Sequence, residues 1–136
     1  MPADDIRMQI AQTESQIDSC GALIRELQEK INELKRIKPV VTAVKHDIGN
    51  QRLEIPIKAA SPERWNGVRY REYSTILQET VMAPLYTYYQ EVDRILDSIN
   101  DEITRMENEI LQQQGLIGNL KALCNSLWNE LRNLFN

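Results

Sequence analysis

Apolar residues recur along most of this chain at alternating spacings of three and four. Such residues fall on one stripe of an α-helix, and the stripe becomes buried only against another helix. The first series consists of Ile6, Ile10, Thr13, Ile17, Cys20, Ile24, Leu27, Ile31 and Leu34, and it resumes at Val41 and Ile48. Lys38 and Lys45 interrupt it. The pattern predicts one long amphipathic helix that presents a seam to a partner helix.

A second series of the same kind follows and is longer. Its members are Leu85, Tyr89, Val92, Leu96, Ile99, Ile103, Met106, Ile110, Gln113, Ile117, Leu120, Cys124, Leu127, Leu131 and Leu134. Gln113 is the residue that breaks the run. The heptads stay in register through Gly115 and Gly118, so the second helix is predicted to continue past both glycines, although each costs about 1 kcal/mol relative to alanine.

The segment between the two series contains residues that favour turns. Gly49-Asn50 is a plausible helix stop, and Pro56 and Pro62 each disfavour a continuous helix. The stretch 53–57 fits a short extended segment. These signals predict a connector between two helices of similar length, and consecutive long helices joined in this way fold back antiparallel.

The predicted fold class is therefore all-α: an elongated antiparallel helical hairpin, coiled-coil-like, with a Trp-X-Gly connector. We expect a single domain over residues 1–136, with helix one at about 3–49, the connector at about 50–67 and helix two at about 68–134. Arms of about 45 and 65 residues would reach roughly 70 and 100 Å, which predicts a rod.

Two paired helices bury only one stripe each, and this chain has apolar residues outside the seams. They are Leu23, Ile37, Val44, Ile76, Leu77 and Ile95. This surplus predicts protein partners. The seam residues also permit a homodimer, because their identities do not fix an oligomeric state.

Composition and charge narrow the classes of function. The formal net charge of -4 and a pI near 5.1 give no electrostatic reason to expect nucleic acid or an anionic membrane as a partner. No stretch approaches the ~20 apolar residues that span a bilayer, so membrane insertion is not expected. The first residues resemble no secretory signal, and we expect synthesis in the cytoplasm.

The residue types that support catalysis or metal binding are sparse. His46 is the only histidine, and the two cysteines, Cys20 and Cys124, lack the spacing of metal ligands. The carboxylates lie mostly at outward heptad positions, with no concave pocket to raise a pKa or to position a substrate. We therefore expect no catalytic residues, no metal site, no cofactor and no enzymatic activity.

Two groups of aromatic residues are candidates for binding. Trp65-Asn66-Gly67 lies at the midpoint of the chain, where the tryptophan could plug the open end of two helices while the glycine lets the chain reverse. The simpler interpretation is a loop tryptophan packed on the hairpin. Trp128 and Phe135 stand near the chain end, and such large apolar side chains favour docking on a partner.

On these residues the chain resembles the Trp-X-Gly (WXG) superfamily of type VII secretion proteins, which are helical hairpins with this triplet in the turn. It is similar above all to the small helical proteins encoded beside LXG polymorphic toxins in Gram-positive bacteria, through "INELKRIKPVV", "SPERWNGVRYREY" and "YYQEVDRILDSINDEITRMENEI". The resemblance implies a noncatalytic accessory or substrate that binds the toxin's helical N-terminal region and promotes its export. It also implies a second small helical protein and the secretion ATPase as partners, with the protein in the cytoplasm before export and then secreted or at the cell surface.

Proteins of that superfamily often carry an export signal of the form Tyr-X-X-X-Asp/Glu, and Tyr89 and Asp93 fit it. The signal usually lies near the end of the second helix, whereas some forty residues follow here. Tyr89 is also a member of the second seam. Both interpretations, export signal and seam residue, remain open from the sequence.

Two other classes of protein share the pattern of two long helices. A prefoldin-like chaperone subunit has β-hairpins between its helices, whereas residues 49–67 offer at most one short strand and contain two prolines. A self-associating coiled-coil scaffold would need only the seams. Solution mass, alone and with helical proteins encoded nearby, distinguishes these alternatives.

Overall fold

The computed structural model describes residues 2–58 and 68–136. Helix α1 runs from Pro2 to Lys58, α2 from Val68 to Ile76, and α3 from Ala83 to Phe135. A π-helical segment, Leu77–Met82, joins α2 to α3 without a break. The described part of the chain contains no β-strand. The all-α hairpin class predicted from the seams is confirmed.

The contacts divide the chain into two compact units. Unit 1 comprises Met1–Glu33 and Glu102–Asn136, and unit 2 comprises Leu34–Asp101. In both units a piece of α1 packs antiparallel against a piece of α3, with Arg7 near Phe135 in unit 1 and Lys45 near Asp93 in unit 2. Each unit is described by itself below, and a single domain over residues 1–136 stays a prediction.

The core consists of the two predicted seams. Among the residues whose burial the structure describes, all of the buried apolar ones belong to those series: Ile10, Cys20, Leu27, Ile31, Leu96, Ile99, Ile103, Met106, Ile110, Cys124, Leu127 and Leu131. Thr13 is the buried polar member, and its hydroxyl donates to the backbone carbonyl oxygen of Gln9 at 2.7 Å. A hydroxyl satisfied within its own helix can occupy a seam without an unpaired polar atom.

The predicted end of helix one is wrong. The sequence placed the end at residue 49, but α1 continues nine residues further to Lys58, and Pro39 and Pro56 both lie inside it. The expected extended segment at 53–57 is likewise helical. The reason is tertiary packing: Arg52, which lies beyond the predicted end, packs over two tyrosine rings of α3. Such contacts outweigh local helix-breaking tendencies of a few kcal/mol.

Helix two follows its prediction more closely. The chain is helical from Val68, and α3 passes through Gly115 and Gly118 to Phe135, as the heptads predicted. The π-helical segment was not predicted. It ends at Met82, two residues before Pro84, which has no N–H to donate to the carbonyl oxygen of Thr80. The N–H of Ala83 donates to the carbonyl oxygen of Gln78, five residues earlier.

Candidate protein-binding surfaces

An ion pair at the seam of unit 2 joins α1 to α3. The Nζ of Lys45 donates to Oδ1 of Asp93 at 2.6 Å, and the lysine side chain is only 27% exposed. This hydrogen bond to a carboxylate raises the pKa of Lys45 above its usual value near 10.5. A lysine at a seam position is thus accommodated because α3 supplies a carboxylate opposite it.

Tyr89 packs against α1 beside that ion pair. A Cβ built on Gly49 would lie 3.6 Å from Cε2 of the ring, an ordinary van der Waals distance, so the ring lies beside α1 at this position. The Lys45 Nζ lies 5.4 Å and the Arg52 guanidinium carbon 5.0 Å from the ring centroid, within the range of cation–π attraction. Tyr89 is half-buried and packs at the seam, and its part in an export signal stays a prediction.

An open groove of about 580 Å³ borders these contacts within unit 2. It is lined by Thr42, Lys45, His46, Gly49, Asn50, Arg52, Leu53, Met82, Tyr89 and Leu96. The lining combines apolar and cationic groups. Arg52 also lies 4.6 Å from the Tyr86 ring centroid, which fixes its guanidinium on the α3 side of the groove. Tyr89 and Asp93 are therefore both occupied by contacts with α1.

Unit 2 also presents large apolar side chains that stay about half exposed. Ile37, Val40 and Val44 of α1 are 48%, 64% and 44% exposed, and their spacing of three and four places them on one face of the helix. Ile95 of α3 is 49% exposed. We name Ile37, Val40 and Val44 the unit 2 apolar row. The sequence had predicted unpaired apolar surface at two of its members.

In unit 1 a small cluster closes the seam near the two chain ends. Ile10 packs with Cys124, Leu127 and Leu131, and Ala3 and Ile6 lie against them. Both cysteines are buried free thiols. Trp128 and Phe135 are not part of this cluster: they are 44% and 66% exposed. Arg7 lies 5.7 Å from the Phe135 ring centroid. The two predicted docking residues are thus available on the surface.

A second groove, of about 380 Å³, lies between the helices of unit 1. Its lining comes from Ser15, Gln16, Ser19 and Cys20 of α1 and from Leu116 and Leu120 of α3. Leu116 is 44% exposed, and Leu123, one heptad further along α3, is 48% exposed. The small serines on one wall leave the leucines on the other accessible.

Charged residues elsewhere in unit 1 form solvent-facing pairs. Arg105 donates to Glu102 and to Glu109, the latter at 3.1 Å. The hydrogen bond from Arg105 lowers the pKa of Glu102 and raises that of Arg105. Over the described residues, no group of three His, Cys, Asp or Glu side chains is arranged to hold a metal ion. No helix among them is long and apolar enough to cross a membrane.

With this geometry in place, comparison with known proteins assigns the chain to a family. The family model described as YwqH-like matches residues 6–129. The chain belongs to the YwqH-like family. Searches of curated proteins and of solved structures each gave no significant match.

Within this YwqH-like chain, the structure brings some candidate residues together. Tyr89 and Asp93 are one turn apart on α3 and share Lys45 as a neighbour. Trp128 and Phe135 belong to unit 1, and they lie about two turns apart on the same helix. Trp65 and Gly67 lie outside the described residues. The structure therefore places four of the six candidate binding residues, two in each unit.

Sequence reasoning did not find the roles of Lys45, Gly49 and Arg52. One signal was present for Lys45: a lysine in an apolar seam requires an acceptor on the facing helix, and Asp93 lies four residues after the seam residue Tyr89. Gly49 was interpreted as a helix stop, whereas it lies inside α1 beside the Tyr89 ring.

Proposed function

We propose that this YwqH-like protein is a noncatalytic accessory or substrate of a type VII secretion system that binds the helical N-terminal region of an LXG-type toxin and promotes its export. Family membership and the sequence resemblance support this proposal. The structural observation that carries it is the unit 2 apolar row, a helical stripe left uncovered by the chain's own packing.

Binding would bury that stripe against a helix of the toxin. Three side chains at spacings of three and four match the way an amphipathic helix contacts a neighbouring helix. Fully burying a valine or isoleucine side chain contributes about 1.5 to 3 kcal/mol. The side chains of the row are already about half buried in the protein alone. The row therefore supplies a few kcal/mol toward a complex, and further contacts must come from other surfaces, such as Trp128 and Phe135.

Export would follow from the assembled complex. In this proposal the toxin region, this protein and a second small helical protein present a composite surface to the secretion ATPase, with Trp65 and Gly67 contributing to it. Tyr89 and Asp93 contribute indirectly, because their contacts with Lys45 and Gly49 hold α3 against α1. The protein would be in the cytoplasm before export and at the surface or outside the cell afterwards.

The test is co-purification of the protein with the helical N-terminal region of an LXG-type toxin encoded beside its gene. Val44→Glu should weaken the complex at least tenfold, because a carboxylate would be buried in an apolar contact. Ala43→Glu is the matched control: it adds the same charge at the adjacent exposed position, which points to another side of α1.

Equal binding by both variants would eliminate the row as the toxin contact. Failure of the unmodified protein to bind the toxin region would refute the proposed function itself. Light scattering on the protein alone tests whether it is a self-associating scaffold. A stable homo-oligomer that Val44→Glu dissociates, and that does not bind the toxin, would replace the secretion proposal.

A further inference from the structure

Unit 1 is strongly acidic and unit 2 is not. Unit 1 contains eleven Asp and Glu residues against six Lys and Arg, whereas unit 2 contains nine against ten. The net charge of -4 is thus concentrated in one part of the chain. A binding surface on unit 1 would therefore favour a partner protein whose own contact surface is basic.

The exposed leucines of unit 1 belong to a heptad row on α3. Residues seven apart lie on the same side of a helix, and the row reads Glu109, Leu116, Leu123, Glu130. The two leucines are about half exposed, and a carboxylate stands one heptad beyond each of them. An uncovered apolar centre is therefore bounded by acidic residues at both ends.

A heptad row on α1 has the same distribution of charge. It reads Asp5, Gln12, Ser19, Glu26, with uncharged polar residues in the middle and carboxylates at the ends, and all four residues are exposed. The two rows border the same groove, since Ser19 and Leu116 both line it. Because α1 and α3 are antiparallel in unit 1, acidic residues of both helices gather at each end of this surface. Its centre is uncharged, and the leucines of α3 supply its apolar part.

We propose that this groove binds one amphipathic helix of the toxin region, with a short apolar face and Arg or Lys at both ends. The span from Glu109 to Glu130 is 21 residues, or about 30 Å of helix, which sets the separation of the basic groups. Apolar side chains of the bound helix enter the groove of about 380 Å³ between Ser19 and Leu116. This inference rests on the proposed function for the identity of the partner.

The existing ion pairs leave room for this contact. Glu26 pairs with Lys30 at 3.2 Å and Glu109 with Arg105 at 3.1 Å, each four residues away on the same helix. Such pairs are weak, and a carboxylate can accept hydrogen bonds from two cations. An arginine of the bound helix can thus pair with Glu26 or Glu109 beside Lys30 or Arg105, or in place of them.

The experiment measures affinity for the toxin's helical N-terminal region by calorimetry at low salt, using two charge variants of the full chain. Glu26→Lys/Glu130→Lys reverses a carboxylate at each end of the groove and should weaken binding about tenfold. Glu14→Lys/Glu107→Lys makes the same total change in charge, with one substitution on each helix at exposed positions outside the two rows. This control should bind within about threefold of the unmodified protein.

The apolar centre has its own pair of variants. Leu116→Glu/Leu123→Glu should abolish binding, whereas Leu111→Glu, an exposed leucine outside the row, should not. Circular dichroism verifies that each variant remains helical. If the toxin region binds with unchanged affinity to the row variants, the groove assignment is overturned while the proposed function stands.

A designed peptide separates the two proposals further. The probe is a helix of about 21 residues, long enough to match the groove, with leucines at heptad spacing and arginines at both ends, and its control carries glutamates at the ends. Binding of the basic peptide alone, lost in Glu26→Lys/Glu130→Lys, supports the groove even if the toxin region does not bind. Absence of binding by the basic peptide, or equal binding by both peptides, overturns it.

Discussion

Replacing Gly115 and Gly118 with alanine should stabilise the protein measurably. Both residues lie inside the continuous helix α3, and a Cβ added at either position meets no atom within 4 Å. Alanine therefore introduces no clash, and it removes the excess backbone freedom of glycine in the unfolded chain. Each substitution is worth about 0.8 to 1 kcal/mol in a helix interior, and the pair about 1.5 to 2 kcal/mol.

The assay is unfolding by urea and by heat, followed by far-ultraviolet circular dichroism. A gain of that size in a chain of this length raises the thermal midpoint by about 5 to 7 °C. Ala122→Gly, the reverse change at an exposed position of the same helix, should lower the free energy of unfolding by about 1 kcal/mol. A loss of stability in Gly115→Ala/Gly118→Ala, with Ala122→Gly behaving as expected, would refute a regular helix at these glycines.

Two further predictions concern the seam. Ile31→Ala should cost about 3 kcal/mol by urea unfolding, because Ile31 is only 1% exposed and its truncation leaves a cavity. For Lys45, the folded pKa is raised, so its pairing with Asp93 stabilises the protein fully below pH 10.5 and less as the pH rises through the folded pKa. The unfolding midpoint should therefore fall more steeply above pH 10.5 in the unmodified protein than in Lys45→Met.

Each of these predictions has a comparison that can contradict it. Ile37→Ala removes the same atoms from a side chain that is 48% exposed, and it should cost less than about 1 kcal/mol. If alanine at Ile31 and alanine at Ile37 lower the free energy of unfolding equally, burial does not determine the loss of stability. If the unfolding midpoints of Lys45→Met and of the unmodified protein change identically with pH, the ion pair between Lys45 and Asp93 does not contribute to the pH dependence of stability.

The heptad pattern was sufficient to predict the fold class and the identity of the core. Within the described part of the chain, every buried apolar residue is a member of one of the two predicted series, and α3 passes through its glycines as those heptads required. The physical reason is that a helical seam is a periodic property of the chain, repeated often enough that single exceptions such as Gln113 and Lys45 do not obscure it.

Packing between distant segments of the chain, in contrast, decides where α1 ends. It also decides how a residue that interrupts the heptad pattern, such as Lys45, is accommodated in the seam. Gly49 and Pro56 are local signals for a helix end, yet α1 continues to Lys58, and beyond Gly49 its Arg52 packs on the Tyr86 and Tyr89 rings of α3. The groove between Ser19 and Leu116 likewise depends on how two distant segments meet. Local propensity is worth about 1 to 3 kcal/mol at each position, and packing between helices outweighs it.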